Sequence, residues 1–70
     1  MARVKVYYDR KGNTLTVWFA DPQNEFICEE TREGVILMKD RTGNVIGFEK
    51  LDFVPEGENP LEVGFEAVGV

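Results

Sequence analysis

Seventy residues with 13 acidic and 8 basic side chains, one cysteine and no histidine make a single domain, and exclude both an intrachain disulfide and a histidine-bearing zinc site. The formal charge of −5 repels phosphate backbones and argues against direct nucleic-acid binding. No apolar run reaches the length of a signal sequence or a membrane span, so a cytoplasmic chain that does not enter the membrane is expected.

The first predicted element is "RVKVYYD", where Val4, Val6 and Tyr8 alternate with Lys5, Tyr7 and Asp9, the period of a strand with one buried face. "TLTVWFA" repeats the pattern, with Leu15, Val17 and Phe19 on one side and Thr14, Thr16 and Trp18 on the other. Between them "DRKGN" offers Asp9 to open a turn and Gly12 for a left-handed position. That predicts a tight hairpin closed by Asp9, Gly12 and Asn13.

Pro22 in "DPQNE" breaks the second strand. "FICEE" is a third strand, leading through "TREG" and its Gly34 into "VILMK", a second hairpin of the same kind. Val35 to Met38 are apolar on both sides, and such a strand is usually covered twice. "DRTGN" then repeats the first turn with Asp40, Gly43 and Asn44, and "VIGFEKLDF" follows, with Gly47 marking a bulge, a bend or a close approach. Val45, Ile46, Phe48, Leu51 and Phe53 are expected to add core. "VPEGENP" reads as a linker. In "LEVGFEAVGV", Leu61, Val63, Phe65 and Ala67 alternate with Glu62, Gly64, Glu66 and Val68, the pattern of one more strand.

No apolar pattern of helical period runs ten residues without glycine or proline. The chain reads as all-β, an antiparallel β-meander of five or six strands built from short hairpins. Residues 1–53 form its core, and residues 54–70 add a linker and a C-terminal strand to the same domain. A chain this small gains little net stability from its own core. With disulfide and zinc excluded, self-association completes the fold, a homodimer being the first expectation, with Val35, Leu37, Leu61, Val63 and Phe65 as interface candidates.

The absence of both histidine and serine removes the usual nucleophile pairs and the commonest general base. Cys28 is flanked by Glu29, and a neighbouring anion raises a thiol's pKa, so an inert, partly buried cysteine is expected. The "DR-x-GN" loops bring one carboxylate each beside cations, which is a turn and not a calcium loop. Tyr7, Tyr8 and Trp18 read as cross-strand packing in preference to a stacking platform. Glu29, Glu30, Glu33, Glu49 and Asp52 read as a solvated acidic surface. No metal or other cofactor is implied. The residues favour an interaction module over an enzyme, and an acidic surface suits a basic protein partner. The rival is a small enzyme or ligand-binding protein using Tyr7, Tyr8, Glu49 and Asp52 in an intersubunit groove, which requires those side chains to converge.

The order of Tyr8 and Asp9, then Leu15, Val17 and Phe19, then Gly34 and Val35, then Asp40 and Gly43 leading into Val45 or Ile46, Gly47, Glu49 and Leu51 resembles a family of small bacterial and archaeal proteins catalogued as domain of unknown function 2283. The resemblance covers about residues 4–53. It departs in a first turn poorer in acidic residues and in the extension 54–70. It carries no catalytic residues over. Some members are encoded beside small toxin-like proteins, which implies an antitoxin-like, partner-binding role.

Overall fold

A computed structural model describes residues 3–55 and 62–69 of the chain. Strands β1 (Lys5–Asp9), β2 (Thr14–Trp18), β3 (Ile27–Glu30), β4 (Val35–Lys39) and β5 (Val45–Lys50) form one five-stranded sheet in the order β1-β2-β5-β4-β3. Every neighbouring pair is antiparallel. The protein is all-β, as its alternation requires. A simple meander would set β3 beside β2, and the structure corrects that expectation. β5 takes the place, so the first hairpin joins a three-stranded meander in a Greek-key order.

Composition explains the exchange. Ile46 and Gly47 of β5 are buried, which suits a strand flanked on both sides, whereas β3 is exposed along its length and carries Glu29 and Glu30, which suits an edge. Residues 19–26 carry the chain from β2 to that far edge along the ends of β5 and β4. Phe19 N–H donates to Ile46 O at 2.7 Å and Phe26 N–H to Lys39 O at 2.8 Å. Asp21 caps a short 3-10 turn, Pro22–Asn24, by accepting from Gln23 N–H.

The three hairpin turns are not alike. In the second "DR-x-GN" loop Gly43 has φ 86°, its N–H donates to Asp40 O and the Asp40 N–H donates to Asn44 O, a type I turn followed by a left-handed glycine. Gly34 at φ 71° and the Thr31 N–H to Val35 O bond repeat the arrangement. The first loop differs. Asp9 pairs with Thr14, leaving four residues in the loop, and the left-handed position falls on Asn13 at φ 52°. Gly12 is therefore not the left-handed residue expected from its sequence. What it supplies is room, since a Cβ there would lie 3.1 Å from the Asp9 carboxylate that receives the Lys11 and Gly12 amides.

Among the described residues only Val17, Met38 and Ile46 are buried apolar side chains. Phe48 and Leu51 are half-buried, while Val45 and Phe53, expected in the core, are exposed. A single sheet has nothing to pack them against. The accessible surface is 6123 Å², against roughly 4,500 Å² for a compact chain of this mass, and the radius of gyration is 13.6 Å, against about 11 Å. Residues 62–69 are exposed and pair with no strand, so the sixth strand expected over 61–70 is not formed within them. A strand needs a partner ladder, and none lies beside this segment. Among the described residues no helix is long and apolar enough to cross a membrane.

Candidate functional site

Residues paired across an antiparallel ladder share a face, so the register assigns the surface. One row runs Val6, Val17, Phe48, Leu37, Glu29, and the next runs Tyr8, Leu15, Lys50, Val35. With Val4, Phe19, Ile46 and Ile27 at their ends, these rows make one face mainly apolar, with Glu29, Lys39 and Lys50 as its charged members towards β3 and the end of β5. Phe19 and Phe48 pack as a tilted pair with ring centres 5.9 Å apart. No second layer covers this face among the described residues. Val4, Val6, Phe19 and Ile27 are each about half exposed or more, from 48% to 57%.

The other face is mixed. Tyr7, Thr16, Glu49, Ile36 and Glu30 form one row, and the Thr16 hydroxyl donates to the Glu49 carboxylate at 3.3 Å. Lys5, Trp18, Gly47, Met38 and Cys28 form another. There Trp18 lies across Gly47, where a Cβ would come within 2.6 Å of Val17 O and 2.8 Å of the indole. Both readings of Gly47 hold, since the β4–β5 register also shifts beside it, between Met38 and Lys39.

The two edges differ in their balance of charge. Arg3 and Lys5 lie before and on β1, with Asp9 at its end and Arg10 and Lys11 in the loop after it. Glu25, Glu29, Glu30 and Glu33 surround β3, with Arg32 among them. On the acidic side only Glu29 meets a cation among the described residues, through an ion pair with Lys39. Cys28 is exposed, correcting the partly buried thiol expected, and it donates to Glu25 at 2.6 Å. That hydrogen bond, with smaller help from desolvation and the negative charge of Glu25 and Glu49, raises its pKa. The anion responsible is Glu25, three residues away, and not the flanking Glu29.

The interface candidates divide. Val35 and Leu37 are half-buried members of the apolar face, Val63 and Phe65 are exposed in residues 62–69 at 71% and 93%, and Leu61 lies outside the described residues. The ligand-site candidates do not converge. Tyr7 and Glu49 share the mixed face with Thr16 between them, Tyr8 points to the apolar face and Asp52 is an exposed bend residue at φ 50° beyond β5.

An open cleft of about 310 Å³ lies between Gln23–Phe26 and Asp40–Thr42. It is lined by turn residues, with the Arg41 guanidinium 4.7 Å above the Phe26 ring. Asp40 accepts from the Thr42 hydroxyl and from the Thr42 and Asn44 amides, and these bonds, Thr42 foremost, lower its pKa. No group of three or more acidic or cysteine side chains among the described residues could hold a metal ion.

Asn13, expected only as a turn residue, has a second role. Its side chain accepts from the Tyr8 hydroxyl at 2.7 Å and from Val54 N–H at 2.9 Å, and donates to Val54 O at 2.8 Å. The Asn13 main-chain carbonyl also accepts from Phe53 N–H. It staples the segment after β5 to the first hairpin. Tyr8 at β1 and the second hydrophobic run gave no hint of the partner 41 residues away.

The family model described as "Protein of unknown function (DUF2283)" matches residues 5–53. Searches among curated proteins and among solved structures returned no match.

Proposed function

The chain belongs to that family of unknown function, and from its own surface we propose that it is a self-associating β interaction module whose apolar sheet face is covered by a second copy. The observation that carries this is the face itself, with Val6, Val17, Phe19, Leu37 and Phe48 on one side of a single sheet and Val6 and Phe19 half exposed. A standard interface removes about 800 Å² from each partner, and Val4, Val6, Phe19 and Ile27 offer exposed apolar side chains to it. Two such sheets packed face to face would enclose a core about 10 Å thick. The homodimer then leaves the acidic β3 edge outward, where Glu25, Glu30 and Glu33 suit a basic protein partner in the way an antitoxin meets its target.

Light scattering on the wild type and on Val6→Lys tests the association. The wild type is expected at twice the chain mass of 8.0 kDa, and Val6→Lys at the chain mass with strand content retained. A folded wild-type monomer at micromolar concentration sinks the proposal. For the acidic edge the probe is a lysine-rich peptide titrated in low and moderate salt. Binding lost in Glu30→Gln with Glu33→Gln supports it, and binding indifferent to both substitutions removes it.

A further inference from the structure

We propose that residues 62–69 of one copy add to the β1 edge of a second copy as a sixth strand. This rests on the self-association reading and names a second contact within it. The segment alternates Val63, Phe65 and Ala67 with Glu62, Gly64 and Glu66, the period of a strand with one apolar side. Val63, Phe65 and Val68 are 71%, 93% and 87% exposed, and no ladder joins the segment to its own sheet. The sheet has two unpaired edges, β1 and β3, and an open edge is a template for an added strand.

Charge selects between the edges. Glu62 and Glu66, four residues apart, fall on one side of an extended segment and Val63, Phe65 and Ala67 on the other. Beside β1 the apolar side continues the row of Val4, Val6 and Tyr8, and the glutamates fall on the face of Arg3, Lys5 and Asp9, where an antiparallel register with Gly64 opposite Lys5 sets Glu66 across from Arg3 and Glu62 across from Tyr7. Beside β3 either orientation sets them against a like charge, Glu29 on one face or Glu30 on the other. Like charges placed opposite across a ladder are destabilising. The β1 edge is the complementary one. Among the described residues neither the segment nor this edge is paired within the single chain, and the proposal takes the receiving edge from a second copy.

The test uses full-length chains carrying Cys28→Ala, one with Lys5→Cys and the other with Gly64→Cys, mixed under oxidised glutathione, which accepts the two electrons and two protons released as the disulfide forms. A covalent heterodimer on a non-reducing gel is expected, and it is expected to be lost when Phe65→Lys is added to the second chain. A disulfide formed only within a doubly substituted chain at monomer mass would overturn the proposal, by placing the segment on its own edge. No disulfide in either case would also overturn it. Light scattering on the same samples separates the readings. A dimer without the cross-link removes the added strand and leaves the covered face, whereas a monomer removes both.

Discussion

The two faces of the sheet are built from the same five strands and differ in how much each is finished. On the mixed face Trp18 fills the space over Gly47, Met38 is buried beside it at 4% exposure, and Thr16 satisfies Glu49. On the apolar face Val17 and Ile46 are buried by their neighbours in the sheet, yet Val4, Val6, Phe19 and Ile27 face water. Alternation decides which side chains share a face, but only a covering layer decides whether that face becomes a core. One face is filled at Gly47 by its own side chains, and the other leaves Val4, Val6, Phe19 and Ile27 in water.

The largest effect should come from breaking the finished face. Gly47→Val would drive a branched side chain into Val17 O and the Trp18 ring, overpacking that costs about 3 kcal/mol. In a domain this small that is a large part of the total stability, and urea unfolding should show the midpoint fall steeply or the transition vanish. An unchanged midpoint would mean that Trp18 does not lie across this glycine.

Asn13→Ala attacks the end of the sheet where the chain leaves β5. It orphans the Tyr8 hydroxyl and releases Val54, and should cost about 2 kcal/mol. Asn13→Gly keeps the left-handed conformation while losing the same bonds, so a smaller loss in Gly than in Ala separates backbone strain from the staple. Equal melting of both variants and the wild type would contradict the staple.

The paired faces also predict a contrast between the two loops. Gly43→Ala, at φ 86° with open space around it, should cost about 1 kcal/mol from conformation alone. Gly12→Ala should cost about half that, because only the Asp9 carboxylate must move. Thermal melts that reverse this order would return the left-handed position to Gly12.

The smallest effect is a pH dependence at an exposed turn. Asp40 is held below the ordinary aspartate value near about 3.9 by its bonds from Thr42 and Asn44. Its stabilisation is therefore complete above that value and is lost as the pH falls through the lower, folded one. Asp40→Asn should flatten the acid limb of the stability curve, and an identical acid limb would show that the turn bonds do not favour the carboxylate.

Much of this was legible in advance where a local rule suffices. The side chains of β1 and β2 fall on the faces their alternation dictates, and "TREG" and "DRTGN" make the turns their glycines imply. Strand order was not legible, because hairpin turns specify only sequential pairs. β5 beside β2 brings Gly47 under Trp18, a close fit between distant segments. The difference between "DRKGN" and "DRTGN" was hidden for a related reason. Loop length follows from how the flanking strands pair, so the same letters close a four-residue loop at Asp9 and Thr14 and a bulged turn at Asp40 and Asn44. Of the candidate residues, Val35 and Leu37 were read from their unbroken apolar run and lie half-buried on the apolar face. Val6, Phe19 and Phe48 were assigned to a core face whose openness no alternation reveals.

The most direct measurement is an isotope-filtered NOE experiment on a mixture of labelled and unlabelled full-length chains, which reports only contacts between copies. The covered-face account predicts intermolecular signals from Val6, Val17, Leu37 and the rings of Phe19 and Phe48. An absence of intermolecular signals at millimolar concentration, or signals confined to Tyr7 and Trp18 on the mixed face, would contradict it.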